Sequence, residues 1–197
     1  YGDELKAMIQ LWRVKWHQPD MPILIVQLPK IGIDAIEDGG WPLIREQEWR
    51  VADELEHVAA VVTLDAGESN DLHPQNKEAV GKRLALAALS MIYGKDNEYS
   101  GPEIISAMCD EEKSEVSLTF SHCSQGLMAV NDNFDYFELG IIKDGSKADD
   151  IYSDNIEWFK ASPHIDAVRY AWFNDPCKPP LYNGEGLPAS PFAVFVN

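Results

Sequence analysis

The apolar positions in the first half of the chain follow two rhythms. Over residues 3–16, Leu5, Met8, Ile9, Leu11, Trp12 and Trp16 share one broad stripe at helical spacing, with Asp3 placed to cap its start. Residues 23–28 form a continuous apolar run between Pro22 and Pro29, the pattern of a strand buried on both faces as parallel sheets require. Helical spacing returns over 42–57 through Ile44, Trp49, Val51, Ala52 and Leu55, and 59–64 reads as a second buried strand. A loop, 65–73, then carries Asp65, Glu68, Asn70 and Asp71. Pro74 suits the first turn of a third helix, which keeps Val80, Leu84, Ala87, Ala88 and Met91 on one side and ends at Gly94. The order helix–strand–helix–strand–helix predicts an α/β arrangement of parallel strands between helices. Two strands are too few to complete such a sheet. The rest is expected from another chain or from a lost N-terminal part.

After Lys95-Asp96-Asn97 the rhythm changes to period two. Val116, Leu118 and Phe120 face one way in 115–120, with Ser117 and Thr119 facing the other. Val168, Tyr170 and Trp172 repeat the alternation, and 192–196 is another short apolar run. Clusters of Gly, Pro, Asn and Asp punctuate these segments, which predicts a small, sandwich-like all-β module. The expected division is therefore 1–97 for the α/β part and 98–197 for the β-rich part.

Composition narrows the function. The 197 residues include 33 acidic and 16 basic side chains, a formal charge of −17, while 45% hydrophobic residues suffice for a core. Nucleic acid is an unsuitable partner because each phosphate contact needs a Lys or Arg, and an anionic membrane is disfavoured for the same reason. No apolar run approaches the roughly 20 residues of a bilayer span. Cys109, Cys123 and Cys177 are widely spaced and form neither a zinc signature nor a disulfide framework, so the compartment stays open. The chain opens on Tyr1-Gly2-Asp3 without an initiator Met or a basic leader, and reads as beginning partway through a longer product.

Of five histidines, His17, His57, His122 and His164 lie in ordinary surface or strand-end settings, where a structural or solvated role is the simpler reading. His73 follows the carboxyl end of a predicted parallel strand, where sites gather in open α/β sheets, and has Asp65, Glu68 and Asp71 close upstream. A His held by a carboxylate forms two members of a nucleophile–base–orienter relay. The same residue before a Pro can equally be plain loop. No Ser sits in a Gly-x-Ser-x-Gly elbow, and HExxH, Walker and GxGxxG motifs are absent, so metal and nucleotide chemistry have no support. Trp41 and Arg45 could line a sugar pocket, by stacking and by pairing a carboxylate, or could pack on the sheet and pair a local acid. Tyr170, Trp172 and Tyr182 read as core aromatics ahead of a stacking platform. Asp144, Asp149, Asp150 and Asp154 read as a solvated loop.

The stretch Asn70-Asp71-Leu72-His73-Pro74-Gln75-Asn76-Lys77-Glu78-Ala79-Val80-Gly81-Lys82-Arg83-Leu84 resembles the histidine block of the sialate O-acetylesterases, carbohydrate esterases of SGNH type. Leu11-Trp12-Arg13 with Val26-Gln27-Leu28-Pro29, the Trp41 to Gln47 stretch, and Val168-Arg169-Tyr170-Ala171-Trp172 with Leu181-Tyr182-Asn183 and Gly186-Leu187-Pro188-Ala189-Ser190-Pro191-Phe192 are similar to further motifs of that family in the same order. The resemblance implies that 1–97 is the C-terminal part of a three-layer SGNH-type parallel-sheet domain and 98–197 an accessory module. It implies serine-ester hydrolysis of O-acetylated sialic acid or another acetylated glycan, without metal or cofactor. His73 would be the general base, oriented by Asp71 in preference to Asp65, or by a backbone carbonyl with no acid; many SGNH enzymes use Asp-x-x-His, but the residue three before His73 is Asn70. The family's nucleophilic Ser and oxyanion-hole Gly and Asn have no counterpart here, so this chain is expected to be inactive alone and to partner an N-terminal chain or segment that carries the serine. Secretion or periplasmic export suits a glycan esterase. An acetyl-xylan esterase of the same superfamily, or a carbohydrate-binding or scaffold protein without catalysis, are the alternatives.

Overall fold

A computed structural model describes residues 1–32, 40–110, 115–129, 136–143, 150–153, 155–162, 164–176 and 181–197. Cys177, Asp144, Asp149 and Asp154 lie outside the described residues. Both predicted rhythms of the first half are present, as α1 (Gly2–Lys15), β1 (Ile23–Val26), α2 (Gly40–Glu54), β2 (Val58–Val61) and α3 (Lys77–Met91). β1 and β2 pair in parallel with Ile23 opposite Val58 and Val26 opposite Val61. One face of the pair places Ile23, Ile25 and Val58 against Ile9 of α1 and Val51 of α2. The other places Leu24, Ala59 and Val61 against Ala87 and Leu84 of α3.

The ends of these elements follow local chemistry. Asp3 and Glu4 occupy the first turn of α1 and Arg13 and Lys15 the last, each on the favourable end of the helix dipole. Asp3 lies inside the helix, and the cap position falls to Tyr1 without a side-chain bond. α3 starts later than expected, because the Asn76 side chain accepts from Ala79 N–H and so caps it, leaving Pro74 in the preceding loop. His17 and His57 adopt left-handed conformations, φ 54° and 58°, just beyond the ends of α1 and α2.

The second half is all strand: β3 (Glu103–Asp110), β4 (Glu115–Ser121), β5 (Leu127–Ala129), β6 (Phe137–Ile142), β7 (Ile156–Phe159), β8 (Ala167–Tyr170), β9 (Leu181–Asn183) and β10 (Phe192–Phe195). An antiparallel sheet runs β10-β8-β6-β7, β3 pairs β4, and β5 pairs β9. The β3–β4 hairpin joins the larger sheet beside β10, where Asn197 N–H donates to the Ala107 carbonyl and the Asn197 carbonyl accepts from Cys109 N–H. Ile104, Leu118 and Phe120 of the hairpin pack on Tyr170 and Phe192 of that sheet. The chain is thus a mixed α/β structure with three helices and several small sheets among the described residues. No helix described is long and apolar enough to cross a membrane.

Two features depart from the expected pattern. β2 is buried along its whole length, but β1 is only partly so, and Val26 is 44% exposed. β1 has β2 as its one neighbour and its other edge is open among the described residues. The core also runs across the boundary between the halves: Val62 and Leu64 join Tyr170, Leu181, Ala189 and Phe192 in one buried cluster. Within the β-rich half, the Asn183 amide donates to the Ser100 and His122 carbonyls and its oxygen accepts from Leu187 N–H. Asn183→Ala strips three buried groups of their partner and is expected to cost about 3 kcal/mol of stability, read from the midpoint of urea unfolding.

Candidate active site

The carboxyl ends of β1 and β2 open into two loops, 27–32 and 62–76, that are tied together and to 173–176. Gln27 N–H donates to the Val61 carbonyl, and the Thr63 hydroxyl donates to the Gln27 carbonyl at 2.6 Å. Gly32 N–H donates to Ser69 O at 2.7 Å, and Ile31 N–H to Asn174 O at 3.0 Å. Gly67 permits the closest approach: a Cβ there would fall 2.7 Å from the main-chain nitrogen of Lys30. Lys30 itself pairs with Asp175 across 3.7 Å.

His73 sits on the second loop with its side chain exposed. Its ring makes no hydrogen bond among the described residues. The loop is wound on its own acids. Asp71 Oδ1 accepts from the main-chain N–H of His73 at 2.7 Å, and Glu68 Oε1 accepts from that of Gln75 at 2.7 Å. Asp71 therefore stands beside His73 through the backbone and does not touch the imidazole. Asp65 is engaged elsewhere. Arg83 donates to both of its oxygens, at 2.6 and 2.7 Å, and also to the Val62 carbonyl. The Tyr182 hydroxyl adds a third bond to Asp65 at 3.3 Å. Burial and the Asp65 charge push the Tyr182 phenol well above its ordinary range, so it stays a donor. Asp65 thus fastens the end of β2 to α3 and β9.

Arg45 has no exposed surface. Its guanidinium donates to four main-chain carbonyls: Leu28 and Pro29 on one side, Phe173 and Asn174 on the other. Loss of solvent pushes its pKa down to about 9, against the pull of Glu48 and Asp175. The expected pairing with a sugar carboxylate is replaced by a clamp on loops, because the donors are spent on carbonyls and the group is out of reach of solvent. Trp41 is half-buried, and its indole N–H donates to Pro29 O at 2.6 Å. It abuts the same clamp.

Two residues of this clamp escaped sequence reasoning. Gln27 is fully buried, and its amide donates to Arg45 O and to Ser190 Oγ, 163 positions away. Glu48, also buried, accepts from Leu28 N–H and from the Tyr1 hydroxyl. Desolvation raises the Glu48 carboxyl above the usual carboxylate range, although Leu28, Tyr1 and Arg45 pull the other way. The signal for Gln27 was present as the one polar residue inside an apolar strand run. Among the other histidines, His164 pairs with Asp166 at 2.9 Å on the surface, while His122 lies between two glutamates.

No protein-family model matches the chain. Two curated proteins named sialate O-acetylesterase do: the human protein, 25% identical over 228 aligned positions, and that of Pongo abelii, 24% identical over 237. Each alignment takes in all of this chain and 42% of the relative. Among solved structures, a carbohydrate acetylesterase from Xanthomonas citri superposes with a TM-score of 0.83 at 29% identity, over 98% of this chain and 46% of that one. The chain spans less than half the length of the relatives it matches. Along its whole length it is similar to part of a sialate O-acetylesterase, and its fold is that of the corresponding part of a carbohydrate acetylesterase.

Proposed function

We propose that the chain supplies the general base and one wall of the active site of a carbohydrate O-acetylesterase, with the nucleophilic serine contributed by a segment outside these 197 residues. The observation that carries this reading is the exposed His73 ring, without a hydrogen-bond partner among the described residues, at the carboxyl end of a parallel strand pair in a chain similar throughout to acetylesterases. The ring takes the serine Oγ proton as the oxygen attacks the acetyl carbonyl, then returns it to the sugar oxygen as the ester C–O bond breaks. Water, deprotonated by the same ring, releases acetate from the acyl-enzyme. Asp71 holds the main chain of His73 and would orient the ring after a modest rotation. Asp65 is the weaker choice because Arg83 occupies both of its oxygens.

The open edge of β1 is where the completing part of an SGNH-type sheet would add. α1 and the residue after it expose Leu11, Trp12 and Trp16, and α3 with the two residues after it exposes Leu89, Ile92 and Tyr93. These faces suit a partner that continues the three-layer packing. The substrate class is an O-acetylated glycan. O-acetylated sialic acid follows from the relatives' name, whereas the burial of Arg45 favours a neutral acetylated sugar such as acetyl-xylan, since no carboxylate-binding role is left to that cation.

Three outcomes test this reading. The purified chain alone should give no acetyl-ester hydrolysis above buffer, and turnover should appear when the segment bearing the serine is co-expressed with it. In that assembly His73→Ala should lower kcat by about 10^4-fold or more with unchanged circular dichroism, as loss of a triad base does; retained activity would reject the assigned base. Arg45→Lys should destabilise the fold by about 3 kcal/mol, since an ammonium cannot span four carbonyls in two loops, while KM for a small neutral acetyl ester in the folded fraction stays within about twofold.

A further inference from the structure

At the end of the hairpin away from the loops of the active site, His122 follows β4 in the left-handed region, φ 54°. Its ring lies between two carboxylates. Nδ1 is 2.7 Å from Glu98 Oε1, on the connection leaving α3, and Nε2 is 3.3 Å from Glu103 Oε1 at the start of β3. Tyr99 meets the ring edge-on at a centroid distance of 5.7 Å. From α2, Asp53 and Trp49 line the same cavity of about 290 Å³, which runs along Val58, Ala59 and Ala60 of β2. Glu98 and Glu185 act on the adjacent Cys123 thiol, which burial pushes up.

The two nitrogens are not equivalent. Glu98 Oε1 also accepts from Tyr99 N–H at 3.0 Å and Ser100 N–H at 3.3 Å, so Glu98 is fixed as an acceptor and Nδ1 must carry a hydrogen. Burial pushes the Glu98 carboxyl up, but the bonds from His122, Tyr99 and Ser100 outweigh it and leave it below the usual range. A neutral ring with its hydrogen on Nδ1 presents a lone pair to Glu103 through Nε2. Lone pair against carboxylate repels. One added proton on the Nε2–Glu103 axis turns the repulsion into a charge-assisted bond. Glu103 is suited to share that proton, since burial raises it first and Asp53 and Glu98 add to the effect.

We propose that Glu98, His122 and Glu103 form a proton-operated lock that fastens the base of the β3–β4 hairpin to the connection from α3, closed in acid and loosened as the pH rises. The sign follows from proton counting. Burial raises the Glu103 carboxyl, so the folded hairpin holds that proton on the axis more firmly than the unfolded chain, and the contribution is present at low pH and is lost as pH rises through the raised carboxyl. Asn183 keeps the backbone in register in both states, because it holds Ser100 O and His122 O through uncharged bonds.

The test is hydrogen exchange of the whole chain at about pH 5.5 and about pH 8, the interval in which histidine ordinarily changes charge, with intrinsic rates corrected. Amides of β3 and β4 should be protected about threefold or more better at the lower pH, while those of β2 and α2 change together and less. His122→Asn, which suits the left-handed backbone and cannot charge, should abolish the contrast by leaving the hairpin loose at both values. Glu103→Gln should abolish it in the opposite sense, since its amide donates to the ring lone pair and keeps the hairpin protected at pH 8. A contrast that persists in Glu103→Gln, or none in the native chain, overturns the proposal. If His122→Asn does not fold, Glu103→Gln decides alone.

Discussion

One buried guanidinium determines how the two halves of this molecule meet at the candidate active site. Arg45 leaves solvent entirely, a transfer that costs several kcal/mol unless its donors are satisfied. Four carbonyls meet that demand, two from the loop after β1 and two from the loop after β8. Everything at the carboxyl end of the strands hangs on this geometry in turn. The loop 27–32 is set by Arg45, Ser69 is set by Gly32 of that loop, and the acid-wound turn bearing His73 begins at Glu68 beside it. His73 is thus positioned by a cation it does not touch.

The seam between the halves is built from apolar burial and polar staples together. Tyr170 stacks on Phe192 at 5.4 Å, Phe120 meets Phe192 edge-on, and Val62 and Leu64 from the end of β2 enter the same cluster. Aromatic packing of this kind tolerates little sliding. Polar groups then fix the register: Gln27 with Ser190 and Asp65 with Tyr182. The β-rich half therefore acts as a brace for the loops that follow β1 and β2. The expected boundary near residue 97 marks a change of secondary structure, and the hydrophobic core is continuous across it.

The long periodic segments were legible in the sequence, as were β4, β8 and β10, because their burial imposes a period on the residues themselves. β3, β5, β6, β7 and β9 were not. β5, β7 and β9 are short, β6 mixes Glu138 and Gly140 into an apolar run, β3 interrupts its apolar residues with Ser106 and ends on Asp110, and the partners of β5 and β8 lie far along the chain. The place of His73 was readable from strand, loop and helix in succession. Its acid was not, since spacing cannot tell a carboxylate aimed at a ring from one turned onto a main-chain N–H, as Asp71 is. Arg45 was unreadable for a related reason: two of its four acceptors come from residues 173 and 174, and nothing local announces a cation destined for the interior. His122 escaped because its two carboxylates converge only when the hairpin closes.

The half-buried β1 carries a further consequence. Among the described residues its far edge pairs with no strand, and an unpaired edge is a template on which another strand can add. Another copy of the same stretch fits such an edge, and the net charge of −17 opposes that pairing by repelling like chains. Salt screens that repulsion and leaves the exposed edge untouched. The net charge of the chain therefore sets how strongly copies repel one another at that edge.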